Sequence, residues 1–446
     1  MEFILEASDE TLSTHSGLGL IGLLLSKTNV YERLSHIHLP IIKTLPFISN
    51  GDIIHSYLGL LCQSKNDFDH INPFRDDPFF YRALDIKKVP SSSTLRQRMN
   101  QIATKRENWK PILLEESVDL IKQFDSPITP TILSDGHTAY APLDLDVSPF
   151  DNSNTKKEGV SRTYKGCDGY APNFCYLGQE GYVVNVELRE GSTHVQKETD
   201  LFLHESIRYA KRLTELPLLV RADAGNDSTS NLNVCVNEQV DLIIKRNPRR
   251  EKAETWLAIA EQRGQEVPSR EGKRVFYGSV EVTPKNMNQP LRQVYKIVER
   301  TIDKHGQVLL IPDLSFESYW TTLAVEPEEV INLYHEHGTC EQYHSELKTD
   351  LDLERFPSGK FATNDLILHL GCFTYNLLRL IGQESLKKND APVKKKVFRR
   401  RVKTVIQNLI TLASKMVRHA RKHYLKFGNN SPWFLTFKRV YTAFLC

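Results

Sequence analysis

The chain has 446 residues, and its 40% hydrophobic and 25% charged content, with 22 Gly and 21 Pro, excludes a collagen-like, low-complexity or wholly disordered protein. Its length implies two or three packed units. The longest apolar stretches, 18–25 and 366–378, fall short of the roughly 20 apolar residues that cross a bilayer, and the opening residues lack a basic segment with a cleavage site. The expectation is a cytoplasmic chain with no membrane partner.

Residues 1 to about 125 carry helical periodicity. Asn50-Gly51 separates two apolar helical stretches, and Ser92 or Ser93 caps a short helix over 94–103 that exposes Arg96, Gln97 and Arg98. Such a helix suits DNA contact in a helix-turn-helix manner; ordinary packing is the other reading. The seven cysteines, at 62, 167, 175, 235, 340, 372 and 446, show no Cys-x-x-Cys spacing, so neither a zinc knuckle nor a disulfide framework is expected, only buried thiols.

From about 130 the period changes. Leu143-Asp144-Leu145-Asp146-Val147 alternates acid and apolar residues, which puts both aspartates on one side of a strand. Residues 181–188 alternate likewise, a helix follows with Leu203, Ile207, Ala210 and Leu213 on one face, and 216–220 form a short buried strand running into Asp223, with Asp227 as a helix cap. Residues 241–245 make another buried strand. This order predicts an α/β layer with a partly parallel sheet. Between about 247 and 325 four strands are expected, over 274–282, 293–301, 307–311 and 319–325, forming an inserted β subdomain.

The next helix opens with Pro327, Glu328 and Glu329, all favourable at a helix N-terminus. Tyr334, Glu341 and Lys348 recur by sevens and fall within roughly 40° of one another, a polar stripe beside the apolar stripe of Leu333, Cys340 and Leu347. Asp223 at a strand end, Asp144 and Asp146 on a strand, and Glu341 on this helix supply the hard oxygen ligands that a pair of Mg²⁺ ions requires. Any one of them alone reads equally well as a surface acid.

Residues 387–446 hold sixteen Lys or Arg against one acid, Asp390, while the whole chain is only +3, so the rest is net negative. Such a tail suits a polyanion, nucleic acid before an anionic membrane. Val402, Val405, Leu409, Leu412 and Met416 recur at helical spacing, which predicts a folded helical tail.

Tyr334-x2-His337-x3-Glu341-x6-Lys348 resembles the Tyr-Arg-Glu-Lys signature of the DDE transposases of bacterial insertion sequences. The likeness continues through 353–359 and 375–378, through Arg221-Ala-Asp223-Ala-Gly225 and Asp144-Leu-Asp146-Val-Ser148, and through 169–172 and 188–191, covering about 130 to 425. The resemblance implies an RNase H-like α/β catalytic core with a β-rich insertion. The domains are then 1–125 (helical, DNA-binding), 126–246 (first part of the core), 247–325 (insertion), 326–385 (second part of the core) and 386–446 (basic helical region).

Carried over residue by residue, the resemblance makes Asp146, Asp223 and Glu341 catalytic residues holding two Mg²⁺ or Mn²⁺ ions, with Asp144 as the alternative first acid. It places Tyr334 and Lys348 on the transposon-end backbone. His337 stands where the family has Arg and is carried over as a DNA-binding residue, although an imidazole is only partly protonated near neutral pH. Trp320, or else Trp256, would stack on a flipped base; core packing is the competing role. The implied activity is metal-dependent DNA cleavage and strand transfer on terminal inverted repeats and target DNA, by a homodimer at the nucleoid. A transposase-derived DNA-binding protein without catalysis, and a structure-selective RNase H-like nuclease, are the alternatives.

Overall fold

The computed structural model describes residues 1–39, 46–249, 251–393, 395 and 397–445. Its centre is a ten-stranded mixed sheet. From one edge the order is Gln265–Val267, Lys273–Val282, Leu291–Ile302, Val308–Thr321, Asp241–Lys245, Leu218–Ala222, Ala139–Val147, Asn173–Leu177 and Tyr182–Glu187, with Thr131–Ile132 pairing beside Ala139–Val147. Leu218–Ala222 is parallel to both its neighbours, and the remaining pairs are antiparallel. All five of its residues are buried, as expected for a strand covered on both faces.

The pleat divides the side chains. Leu143, Leu145, Val220 and Ala222 pack with Leu203, Ile207 and Ala210 of the Thr199–Ala210 helix, whereas Leu219 and Ile243 pack with Val330, Ile331 and Leu333 on the other face. Asp144 and Asp146, offset by one from Leu143 and Leu145, therefore turn toward that second face. The helical path there runs as Pro327–His335, a 3₁₀ turn at Glu336–Thr339, Cys340–Ser345 and a π turn at Glu346–Asp350. Leu333, Cys340 and Leu347 are buried, as their stripe predicted.

The strands expected at 181–188, 216–220 and 241–245 form, the second displaced two residues to Leu218–Ala222. Asp227 is not the cap of the next helix; Ser228 is, its hydroxyl accepting from the Asn231 amide. The insertion differs more. It begins with a helix, Ala253–Arg263, and the two strands expected at 307–311 and 319–325 are one, Val308–Thr321. Pro312 reads as a breaker, yet it lies in the register shift between the Arg300–Asp313 and Ile302–Val308 pairs, where its missing N–H breaks no ladder. That strand pairs with Asp241–Lys245, so the insertion extends the core sheet edge to edge.

The N-terminal part is helical as expected. The helix Asn50–Leu61 starts at Asn50-Gly51, because Ser49 caps it in a capping box with Asp52, and a Cβ at Gly51 would meet Tyr31 and Ser35 at 2.6 Å. The short helix is Ser92–Ala103, capped by Ser91 rather than Ser92 or Ser93. These N-terminal helices share one hydrophobic core with the 26-residue helix Phe361–Leu386 and with Val402, Leu409 and Val440 of the C-terminal region.

The expectation of a wholly helical tail is corrected. After Val402–Val405 and a π turn at Ile406–Ile410, a hairpin of Ser414–His419 and Lys422–Phe427 pairs with Thr11–Ser13, and the helix Phe434–Leu445 follows. Met416 shares the helical spacing but sits on a strand: Met416, Leu425 and Phe427 turn inward against the core. Ala420 and Arg421 at the turn have φ of 49° and 62°, the handedness that a tight two-residue hairpin needs. Among the described cysteines five are buried, Cys167 is partly exposed, and none is bridged; Cys446 lies outside the described residues. No described helix is long and apolar enough to cross a membrane.

Candidate active site

Ala139–Val147 and Leu218–Ala222 run parallel, with Asp144 opposite Arg221 and Leu145 opposite Ala222. The next positions along, Asp146 and Asp223, thus meet at the carboxyl ends of adjacent strands, where open α/β sheets place their sites. Burial raises the Asp223 carboxyl above its ordinary range, and the Asp146 charge beside it raises it further. Asp223 is fixed by its own turn: Oδ1 accepts from the Gly225 amide at 3.1 Å and from Asn226 Nδ2 at 2.7 Å.

The two aspartates of the alternating strand have different partners. Asp144 is 2% exposed and takes a bidentate pair from Arg221, at 2.7 and 2.8 Å, plus His337 Nδ1 at 3.1 Å. Burial pushes its carboxyl up, but the Arg221 charge and the His337 contact prevail and hold it down at about 2. Asp146 accepts from His344 Nε2 at 3.0 Å; burial pushes its carboxyl up, but this bond together with the neighbouring His344, His337 and Val147 amide keeps Asp146 below its ordinary range. Burial lowers the His344 imidazole, so it is neutral near pH 7. Its Nε2–H then donates to Asp146 while Nδ1 accepts from the Tyr176 hydroxyl at 2.9 Å.

Asp144, His337 and Cys340 bring potential metal-ligand atoms within 4.8 Å of one another. The cluster is a poor cation site, because Arg221 already engages both oxygens of Asp144 and would repel the ion. His337, although desolvated, is raised by Asp144; it acts as an internal counter-charge.

Glu341 lies between His337 and His344 on the same helical path, exposed, and makes no hydrogen bond or ion pair among the described residues. Tyr334 is half-buried, its ring 4.7 Å from that of Tyr319. Lys348 is half-buried and donates to the Pro149 carbonyl at 2.6 Å.

Several residues expected at a DNA surface are inside. His337 is 6% exposed. Arg98 is buried, its guanidinium donating to the Ile48 carbonyl and to Asn50, so the expected exposure is corrected, whereas Arg96 remains exposed above the Phe68 ring. Trp320 is 5% exposed, donates to Asp227 at 3.0 Å and lies under Arg246; its edge lines a cavity of about 600 Å³ with Arg246, Asn247 and Lys285. Trp256 stacks on Phe316 in the insertion's own core.

Arg221 was named in the motif around Asp223 but given no role, and His344, Tyr176 and Tyr164 escaped the sequence reading. Tyr164 donates to the Val147 carbonyl at 2.9 Å and feels the charges of Asp146 and Asp223. His344, one heptad beyond His337, and Arg221, two residues before Asp223, were the available signals.

The family described as Transposase DDE domain group 1 matches residues 4–445. Among solved structures, the piggyBac transposase synaptic complex with hairpin DNA is similar at 11% identity and a TM-score of 0.41, over 90% of this chain and 82% of that one. No curated protein matches the chain.

Proposed function

The chain belongs to the group 1 transposase DDE domain family, and from that premise we propose that it is a DNA transposase of RNase H-like core that binds the terminal inverted repeats of its element, cleaves the ends and joins them to target DNA. The observation that carries the reading is the meeting of Asp146 and Asp223 at the carboxyl ends of adjacent parallel strands.

Two carboxylates so placed oppose each other's ionisation, which adds to burial in raising Asp223, and a hard divalent cation relieves the conflict. The hard oxygens of this aspartate pair fit Mg²⁺ or Mn²⁺, although Glu341 does not close a three-residue ligand cluster with them among the described residues. Asp146, Asp223 and Glu341 would hold two such ions, which supply activation of an attacking hydroxyl and stabilisation of the leaving 3′-oxygen. The chain's own residues prepare the site. His344 aims Asp146, Asn226 and the Gly225 amide aim Asp223, and the pair of Arg221 with Asp144 locks the two strands in register. Tyr334 and Lys348 flank this face of the helix and would guide the DNA backbone; Arg96 would contact DNA from the N-terminal helices. A homodimer would hold the paired ends.

Purified protein incubated with a labelled element end and Mg²⁺ should cut at the boundary and join the end to a second duplex, and Asp223→Ala should bind the end without cutting. Equal cutting by that variant would refute the catalytic assignment, and hydrolysis without joining would favour a nuclease. The exposed, unpartnered Glu341 favours one further reading, a DNA-binding protein without catalysis. End binding with no cutting in Mg²⁺ or Mn²⁺ would establish it.

A further inference from the structure

The basic C-terminal region is not uniformly available. Arg399 pairs with Glu346, Arg401 with Asp350 and Arg439 with Asp390, while Arg400 is buried over the Trp433 ring. These arginines bind the region to the body of the protein and are committed to internal partners.

The hairpin of Ser414–His419 and Lys422–Phe427 is different. Its pairing places Lys415 opposite Lys426, Val417 opposite Tyr424 and His419 opposite Lys422. With Met416, Leu425 and Phe427 turned to the core, these six side chains share the outer face. Lys422, Tyr424 and Lys426 are exposed, and so is Arg421 at the turn. Only Lys415 has an acidic partner there, Glu10; Lys422, Lys426 and Arg421 have no ion pair among the described residues. Like charges directly opposite across a strand pair destabilise a sheet. A ribbon that places Lys opposite Lys, with an exposed tyrosine between the two ends, is complementary to a polyanion.

We infer that the outer face of this hairpin is a sequence-independent contact for the phosphate backbone of duplex DNA, made by Lys415, Lys422 and Lys426 with Arg421 at the tip. A two-stranded ribbon fits a DNA groove in width, and phosphate contacts position a protein without reading sequence. The choice of DNA over another polyanion rests on the transposase reading; the basic face itself does not.

The test compares the full chain with Lys415→Gln/Lys422→Gln/Lys426→Gln on an element-end duplex and a scrambled duplex across a salt series. Binding to both duplexes should weaken by a similar factor, and the slope of log affinity against log salt should become shallower by about 0.9 for each lysine that meets a phosphate. The unfolding temperature should change little, since losing the exposed Lys415–Glu10 pair is offset by relieving the Lys415–Lys426 repulsion. Lys422→Glu/Lys426→Glu, which keeps the Lys415 pair with Glu10, should weaken binding further. An unchanged slope while the parent binds DNA would overturn the inference and leave the proposed function standing. A parent that binds no duplex would overturn both. A variant that loses binding to phosphatidylserine vesicles, with its DNA slope intact, would reassign the face to a membrane.

Discussion

His344 Nε2 lies 3.0 Å from Asp146 Oδ2, and seven residues earlier on the same helical path His337 Nδ1 lies 3.1 Å from Asp144 Oδ1. Two acids spaced by two on a strand are thus matched by two imidazoles spaced by a heptad on the helix that crosses them. The pairs differ in charge. Asp144 with His337 is closed off by Arg221, whereas Asp146 with neutral His344 adjoins Asp223.

Because His344 orients the proposed ligand Asp146 through one N–H, removing that donor should cost function more than folding. His344→Leu is expected to raise the Mn²⁺ concentration needed for half-maximal cleavage by about 10–100-fold. His344→Gln, which restores a donor, should recover part of the loss. Identical metal dependence in all three proteins would dismiss the orienting role.

The Asp144 carboxyl, at about 2, lies below the roughly 3.9 of an unfolded chain, because Arg221 and His337 together outweigh the cost of burial. The folded state therefore binds fewer protons, and this contribution is present above about pH 4 and lost as pH falls toward about 2; it amounts to about 2 kcal/mol. Urea unfolding of the parent and of Asp144→Asn should show a stability gap that narrows over that range. A gap independent of pH would contradict it.

Placing at position 337 the arginine of the Tyr-Arg-Glu-Lys signature that the sequence resembles should harm this chain. His337 is 6% exposed and lies beside Arg221, so His337→Arg would force a larger, permanently charged group against a second guanidinium. A destabilisation of about 1–3 kcal/mol is expected, seen as a lower denaturant midpoint. Unchanged stability would mean the pocket opens to the surface more readily than its burial implies.

The arginines that tie the C-terminal region to the body should separate by burial. Arg379, 1% exposed, donates to Glu346 at 2.6 Å and to Tyr375 at 2.7 Å, and Arg379→Ala should cost about 3–5 kcal/mol because it leaves a large buried gap and removes one of the two guanidinium partners of buried Glu346. Arg401 is half exposed but donates to both oxygens of buried Asp350, which would keep only the Lys403 amide among the described residues, so Arg401→Ala should cost about 1–3 kcal/mol. Equal losses in chemical denaturation would remove the distinction.

Period alone made much of this architecture legible. Alternation marked the strand of Asp144 and Asp146, short apolar runs marked Leu218–Ala222 and Asp241–Lys245, and the Leu333, Cys340 and Leu347 stripe marked the buried face of the crossing helix. Those signals are local, set by how side chains alternate or recur along one element. Periodicity failed where spacing is shared by two structures. Met416 fits a helical stripe and an inward strand position equally, and its pairing with Leu425 across the hairpin and with Thr11, some 400 residues away in sequence, selects the strand.

The chain's order of residues determined by itself that an α/β sheet would carry acids at its strand ends, that a helix with a polar stripe would follow the insertion, and that positive charge would gather near the C-terminus. Tertiary structure alone decided which charges are used up internally. Arg221 becomes the partner of Asp144 through strand register, His344 reaches Asp146 through helix crossing, and Arg399 and Arg401 turn inward to Glu346 and Asp350. The physical reason is that a charge's role depends on what desolvates and what faces it, and those neighbours come from segments far apart in the chain.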